Sequence, residues 1–279
     1  MRELQNIIDA KSSTDGDGVK IHRLAGQHLN IHLNPYILID EINSDDAADY
    51  IGGFPEHPHR GFETITYMKA GRMRHRDHMG NEGVIGAGDV QWMTAGSGVY
   101  HSEMPEQENG LLHGFQIWLN LPARDKMQPA AYQDIDHSTM PEKPLPKGGS
   151  VRVIAGDVVI NDNLKAKGAL KQRSTQPVMM DIKLTAGEKA EFAFNPHNPV
   201  LVYVYNGSTN QLKRRQLGIF SDGCTLSLHG EWEGAEMLVL SGHPIDEPIV
   251  QYGPFVMNTR AEIEQALQDL HNGTLVDRA

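Results

Sequence analysis

His57-Pro58-His59-Arg60-Gly61-Phe62-Glu63-Thr64-Ile65-Thr66-Tyr67 opens on two imidazoles in alternating positions and runs directly into an apolar strand. A second stretch, His101-Ser102-Glu103, repeats the alternation with an imidazole and a carboxylate. On an extended strand, residues i and i+2 point to the same face. Each pair therefore aims two metal-capable side chains in one direction, and two such strands facing each other can close on a single ion. Three histidines and one glutamate form a borderline nitrogen and oxygen donor set. It suits Fe(II), Mn, Ni, Cu or Zn better than Ca or Mg, and leaves coordination positions open. Glu63 shares strand parity with His57 and His59, so geometry alone leaves Glu63 and Glu103 both standing as the carboxylate donor.

The composition narrows the function classes. At 279 residues the chain is long for one compact domain and comfortable for two. Apolar content of 39% with 22% charged residues describes a folded globular chain. The net charge of −11 argues against a nucleic-acid surface, which needs a dense basic footprint. No apolar run is long enough to span a bilayer, and the polar segment from Met1 to Gly18 lacks a signal-peptide core. One cysteine, Cys224, excludes an intrachain disulfide and makes a reducing cytoplasm the default, with a nuclear setting left open. Its neighbours provide no catalytic elbow, so it reads as a buried structural thiol.

Short apolar runs recur between turn signals: Tyr36–Ile39, Thr64–Met68, Val90–Met93, Phe115–Leu119, Val151–Ile154, Met179–Leu184, Val200–Tyr205 and Met237–Leu240. Asn206-Gly207 predicts a two-residue hairpin, and Gly80-Asn81 and Asp222-Gly223 are further turn candidates. Many short strands punctuated by glycine predict an all-β sandwich or barrel. Between Leu121 and Gly149, five prolines among charged residues predict a linker between two β domains, with a short helix near Ala123–Tyr132. One helix signal closes the chain. Thr259-Arg260-Ala261-Glu262 fits a capping box, Ile263, Ala266, Leu267 and Leu270 form an apolar stripe, and Gly273 supplies the stop. His75-Arg76-Asp77-His78 reads as a polar loop. Asn195-Pro196-His197 echoes the first imidazole pair with one donor lost.

Imidazole pairs on short strands resemble the cupin superfamily. Longer stretches resemble the pirin family within it: His57 to Tyr67, Gly88-Asp89-Val90-Gln91-Trp92-Met93-Thr94-Ala95-Gly96-Ser97-Gly98, and His101-Ser102-Glu103-Met104-Pro105. His113 to Pro122 and Tyr252 to Thr259 extend the likeness, whereas the region from about Asp157 to Gly242 is only generically similar. The resemblance implies two cupin (jelly-roll type) β-barrel domains with a C-terminal helix: 1–122 binding metal, 123–149 a linker, and 150–279 without metal. It implies one divalent transition metal, Fe(II) first, with Mn, Ni, Cu, Co or Zn as alternatives, held by His57, His59, His101 and Glu103. Glu63 then stands behind the ligands or pairs with Arg60. His113 lines the pocket mouth or is a satisfied core histidine. Phe62, Met93 and Phe115 are candidates for apolar pocket walls.

The implied activity is quercetin 2,3-dioxygenase-type ring opening of a flavonol with dioxygen, Glu103 acting as general base. The rival implied by the same resemblance is an iron-binding, redox-responsive regulator that docks on a transcription factor or metabolic enzyme. Neither reading needs direct nucleic-acid contact or a membrane.

Overall fold

The computed structural model describes residues 1–25, 30–171 and 173–276. It is built of β-strands and closes on one long helix. The described residues fall into two compact units that are interleaved along the chain. One draws on 1–10, 32–35 and 138–244, and the other on 11–31, 36–137 and 245–279.

In the unit built on residues 36–137, a seven-stranded sheet runs in the order Ala131–Ile135, Val90–Thr94, Phe62–Ala70, Leu112–Asn120, Tyr36–Ser44, Val19–Ala25 and Lys11–Asp15. A four-stranded sheet runs Phe54–His59, Val99–Pro105, Met73–Asp77 and Glu82–Ile85. All the pairings are antiparallel. Strands of alternating burial, such as Met73–Asp77 with Met73, His75 and Asp77 inward, show why two sheets form one barrel. The apolar filling includes Val19, Ile21, Ile42, Tyr50, Met68 and Leu112.

In the other unit the sheet path runs Leu4–Asp9, Gln216–Phe220, Val200–Thr209, Thr225–Ser241, Val178–Leu184, Ser150–Ala155 and Glu142–Pro144. Thr225–Ser241 is long enough to pair with Lys189–Ala193 along its first part and with Val178–Leu184 along its second. Valines, leucines and isoleucines from these strands make a continuous core around Val151, Ile182, Val202 and Val239. Each unit is a cupin barrel, and the fold is all-β with a C-terminal helix, as the strand pattern and the resemblance indicate.

Four readings need correction. The serial division at 122 and 150 does not describe the packing: Leu4–Asp9 pairs with Gln216–Phe220 in the second barrel, and the helix Arg260–Asn272 belongs to the first. The segment from Ala123 forms no α-helix: it holds a 3₁₀ turn, Ala123–Asp125, and then the strand Ala131–Ile135 hydrogen-bonded to Val90–Thr94, with a second 3₁₀ turn, His137–Thr139, and the strand Glu142–Pro144 beyond it. Local prolines set the turn but leave the later residues free to extend a sheet. Asn206-Gly207 is no hairpin. Val200–Thr209 runs through it, and the register shifts on both sides while Gly207 takes φ 66°. A bulge uses the same positive φ that a tight turn needs, so the dipeptide alone does not separate the two. Cys224 is exposed, not buried.

The capping box and the stop hold as read. Thr259 Oγ1 accepts from Glu262 N, the Glu262 carboxylate accepts from Thr259 N, and Gly273 is left-handed. The stripe residues Ile263 and Ala266 bury against Phe255 and Met257. No helix among the described residues is long and apolar enough to cross a membrane.

Candidate metal centre

Phe54–His59 and Val99–Pro105 are neighbouring antiparallel strands in which His57 stands opposite His101 and His59 opposite Val99. Their alternation turns the three imidazoles to one side, and one nitrogen from each falls within 4.8 Å of the others. His57 Nε2 and His59 Nε2 lie 3.0 Å apart. His57 Nδ1 lies 2.8 Å from the Pro55 carbonyl oxygen, an acceptor that fixes the proton on Nδ1 and leaves the Nε2 lone pair for the cluster. His101 Nε2 is buried with no hydrogen-bond partner, an orphan that a metal ion would satisfy. Burial first, and then the neighbouring imidazoles, hold His59 and His101 well below the ordinary histidine range. Both are therefore neutral at pH 7, the state a ligand needs. The donor set fits a borderline transition metal.

Glu103 lies on the same strand beyond a register shift between His101 and Glu103. Its carboxylate is buried, and each of its oxygens accepts one hydrogen bond. Thr66 Oγ1 donates to Oε1 at 2.7 Å, and Gln116 Nε2 donates to Oε2 at 2.7 Å. It stands outside the three-nitrogen cluster and faces the same cavity, which has a volume of about 1000 Å³. Trp118, Leu38 and Ile42 supply apolar wall, and Asp40 and Arg23 supply charge.

The other sequence candidates separate by position. Glu63 accepts from Thr94 Oγ1 at 2.6 Å and does not pair with Arg60. Arg60 turns away: its guanidinium donates to Asp269 Oδ2 at 2.6 Å, to Ser97 O at 2.6 Å and to Leu275 O at 3.1 Å. Gly61 at φ +90° makes this bend, since a Cβ there would lie 2.1 Å from the Val256 carbonyl oxygen. His113 Nε2 sits 3.1 Å from Glu41 Oε1, away from the cavity lining, and so takes the satisfied-histidine alternative. Phe62 packs behind the site, with its ring 5.1 Å from that of His59. Met93 is core beside Ala95 and Val99. Phe115 stacks on Tyr67 and walls only a small side pocket next to Glu103.

Two site residues escape the sequence reading. Trp118, one of the apolar run Phe115–Leu119, lines the cavity with its ring 5.2 Å from His59. His75, which reads as loop, is a buried strand residue whose Nε2 lies 3.0 Å from His101 Nδ1. The spacing of Met73, His75 and Asp77 between the two arginines Arg74 and Arg76 was the available signal.

A family model described as Pirin matches residues 18–119, and one described as Pirin C-terminal cupin domain matches 179–276. The chain belongs to the pirin family. Among pirin relatives, a Vibrio cholerae protein named "Putative quercetin 2,3-dioxygenase" is 47% identical, over 98% of this chain and 97% of its own. A pirin-like protein of Caulobacter vibrioides is 39% identical, over 98% of this chain and 99% of its own. A crystal structure of quercetin 2,3-dioxygenase from Acinetobacter baumannii superposes with a TM-score of 0.89 at 36% identity, covering 99% of this chain and 98% of that one. Pirin membership accounts for the paired barrels.

Proposed function

We propose that this pirin is a metal-dependent dioxygenase that opens the ring of a flavonol, with His57, His59, His101 and Glu103 as its ligand set and Glu103 as its base. The observation that carries the reading is the clustering of His57, His59 and His101, one nitrogen from each within 4.8 Å of the others, beside a cavity of about 1000 Å³ that His57, His59 and the buried Glu103 line. That volume is ample for a small organic ligand, whose sites commonly span about 300–1000 Å³. When bound, a divalent metal supplies positive charge for an enolate-like oxygen and a path for dioxygen chemistry. The names of the Vibrio and Acinetobacter relatives support the same substrate class.

The chain's own residues do the rest. His57 and His59 present lone pairs from one strand, and His101 presents its orphaned Nε2 from the next. Trp118, Leu38 and Ile42 exclude water and give a planar ring apolar surface to lie on. Glu103 is an acceptor held by Thr66 and Gln116, poised to take the proton of a substrate hydroxyl. The regulator reading shares the imidazoles, but it gives no use to the cavity.

Protein loaded with Fe(II) or Mn(II) is mixed with quercetin in air, and loss of the flavonol absorbance is followed together with oxygen uptake. Turnover coupled to oxygen uptake is the expected result. No turnover with any first-row divalent metal overturns the proposal. Glu103→Gln should retain metal by elemental analysis and lose at least about 100-fold in kcat, the low end of a general-base contribution.

A further inference from the structure

On the seven-stranded sheet, one row of polar side chains crosses the cavity wall. Arg23 stands opposite Asp40, Asp40 opposite Gln116, and Gln116 opposite Thr66. The last two hold Glu103, so the row begins at the proposed base. It ends toward solvent: Asp40 is 7% exposed, Arg23 29% and Asp15 48%. Arg23 Nε donates to Asp40 Oδ1 at 2.9 Å, and Nη2 bridges Asp40 Oδ2 and Asp15 Oδ2. Apolar residues two positions along each strand flank the row, Leu38 and Trp118 on one side and Ile21 and Ile42 on the other.

The charge balance of this wall is unusual for a pocket holding an arginine. Among the described residues lining the cavity, Asp15, Asp17, Asp40 and Glu103 are acids, and Arg23 is the one arginine or lysine. Arg23 is already engaged by two of those acids. An anionic ligand therefore meets repulsion, and ionised carboxylates can only accept hydrogen bonds. Their natural partners are neutral hydroxyl donors, which form charge-assisted bonds. The row spans Gln116 to Arg23 over two strand spacings, about 10 Å, a span on the scale of a three-ring planar aromatic.

We propose that the Asp15–Arg23–Asp40 row docks the hydroxyl groups remote from the reacting end, and so selects neutral polyhydroxylated aromatics over anionic ones and over those lacking remote hydroxyls. The inference rests on the flavonol reading and adds the residues that set its preference. A ligand without those hydroxyls forgoes the charge-assisted bonds that the remaining lone pairs of Asp40 and Asp15 offer.

Calorimetric titration of the Mn(II)-loaded protein under argon tests this without turnover. The ligands are quercetin, galangin (the same rings without hydroxyls on the pendant one) and quercetin sulfonate. Quercetin should bind at least about tenfold more tightly than galangin, the effect of one hydrogen bond to a charged group, and the sulfonate should bind more weakly than quercetin. Asp40→Asn should shrink the quercetin–galangin ratio, and Asp15→Asn, at a half-exposed position that tolerates change, should do so too. Equal affinities, a ratio unchanged in both variants, or no binding of any of the three overturns the proposal. Air is then admitted. A quercetin preference without oxygen uptake, with Mn(II) or with any other first-row divalent metal loaded in its place, upholds the docking row and removes the ring-opening reading. Oxygen uptake with equal affinities removes the row and leaves that reading intact.

Discussion

His75 is the residue whose role changes most between sequence and structure. Its Nε2 faces the Nδ1 of His101 at 3.0 Å, so it takes the proton that Nε2 coordination leaves on the other ring nitrogen. His75→Leu should lower Ni(II) or Co(II) affinity by about 10–100-fold, the usual cost of losing such a partner. Competition against a chromophoric chelator measures it, and an unchanged circular dichroism spectrum confirms that the fold survives. The same measurement on His78→Leu should show little change, because that side chain reaches the Tyr100 amide and not a ligand. His57, His59 and His101 were legible because i, i+2 spacing on a strand fixes direction without knowledge of the partner strand. His75 was not, since polar neighbours disguised a strand as a loop. Trp118, Asp40 and Arg23 were also hidden: which face of a strand meets the cavity depends on pairings between residues far apart in sequence.

Lys126 shows the same limit for whole elements. It falls within a proline-broken stretch that reads as a linker, yet its ammonium is buried and donates to Gly61 O, Asn120 Oδ1 and Val256 O. It pins the loop after His59 to two other segments. Burial pushes Lys126 down to about 8 despite these acceptors. Between that value and the ordinary lysine range near about 10.4, the unfolded chain keeps a proton that the folded chain has shed, so this group makes stability rise with pH. Below about pH 8 both states are charged and the gain is gone. Urea midpoints at pH 8 and 10, with Lys126→Met as reference, should show wild type gaining about 1–3 kcal/mol relative to the variant. The terminal helix gives a second test. Asp269→Ala strips the buried Arg60 of its carboxylate and should cost about 1.5–3 kcal/mol in the same assay, the worth of a hydrogen bond to a charged group. Capping residues made that helix readable from sequence, because Thr259, Glu262 and Gly273 act locally. Asn206-Gly207 misled because bulge and hairpin share one backbone requirement.

At the scale of the molecule, two all-β barrels followed from strand spacing and family likeness, but their division of the chain did not. Residues 1–10 complete the sheet of the second barrel, and residues 245–279 belong with the first. Sequence texture records where prolines gather, not where a strand finds its neighbour. A fragment of residues 1–122 lacks Ala131–Ile135, which completes the sheet beside Val90–Thr94, and also lacks Asp269. It should be poorly soluble and show no sharp thermal transition by calorimetry. An internal deletion that joins 245–276 directly after residue 137 should recover one. The pairing of Arg60 with Asp269, 209 positions apart, also sets an order of events at the ribosome. The strand bearing His57 and His59 leaves the exit tunnel well before its anchor does. The loop after His59 is therefore pinned only once the segment holding Asp269 has followed it out, and loading with an ion waits for that segment.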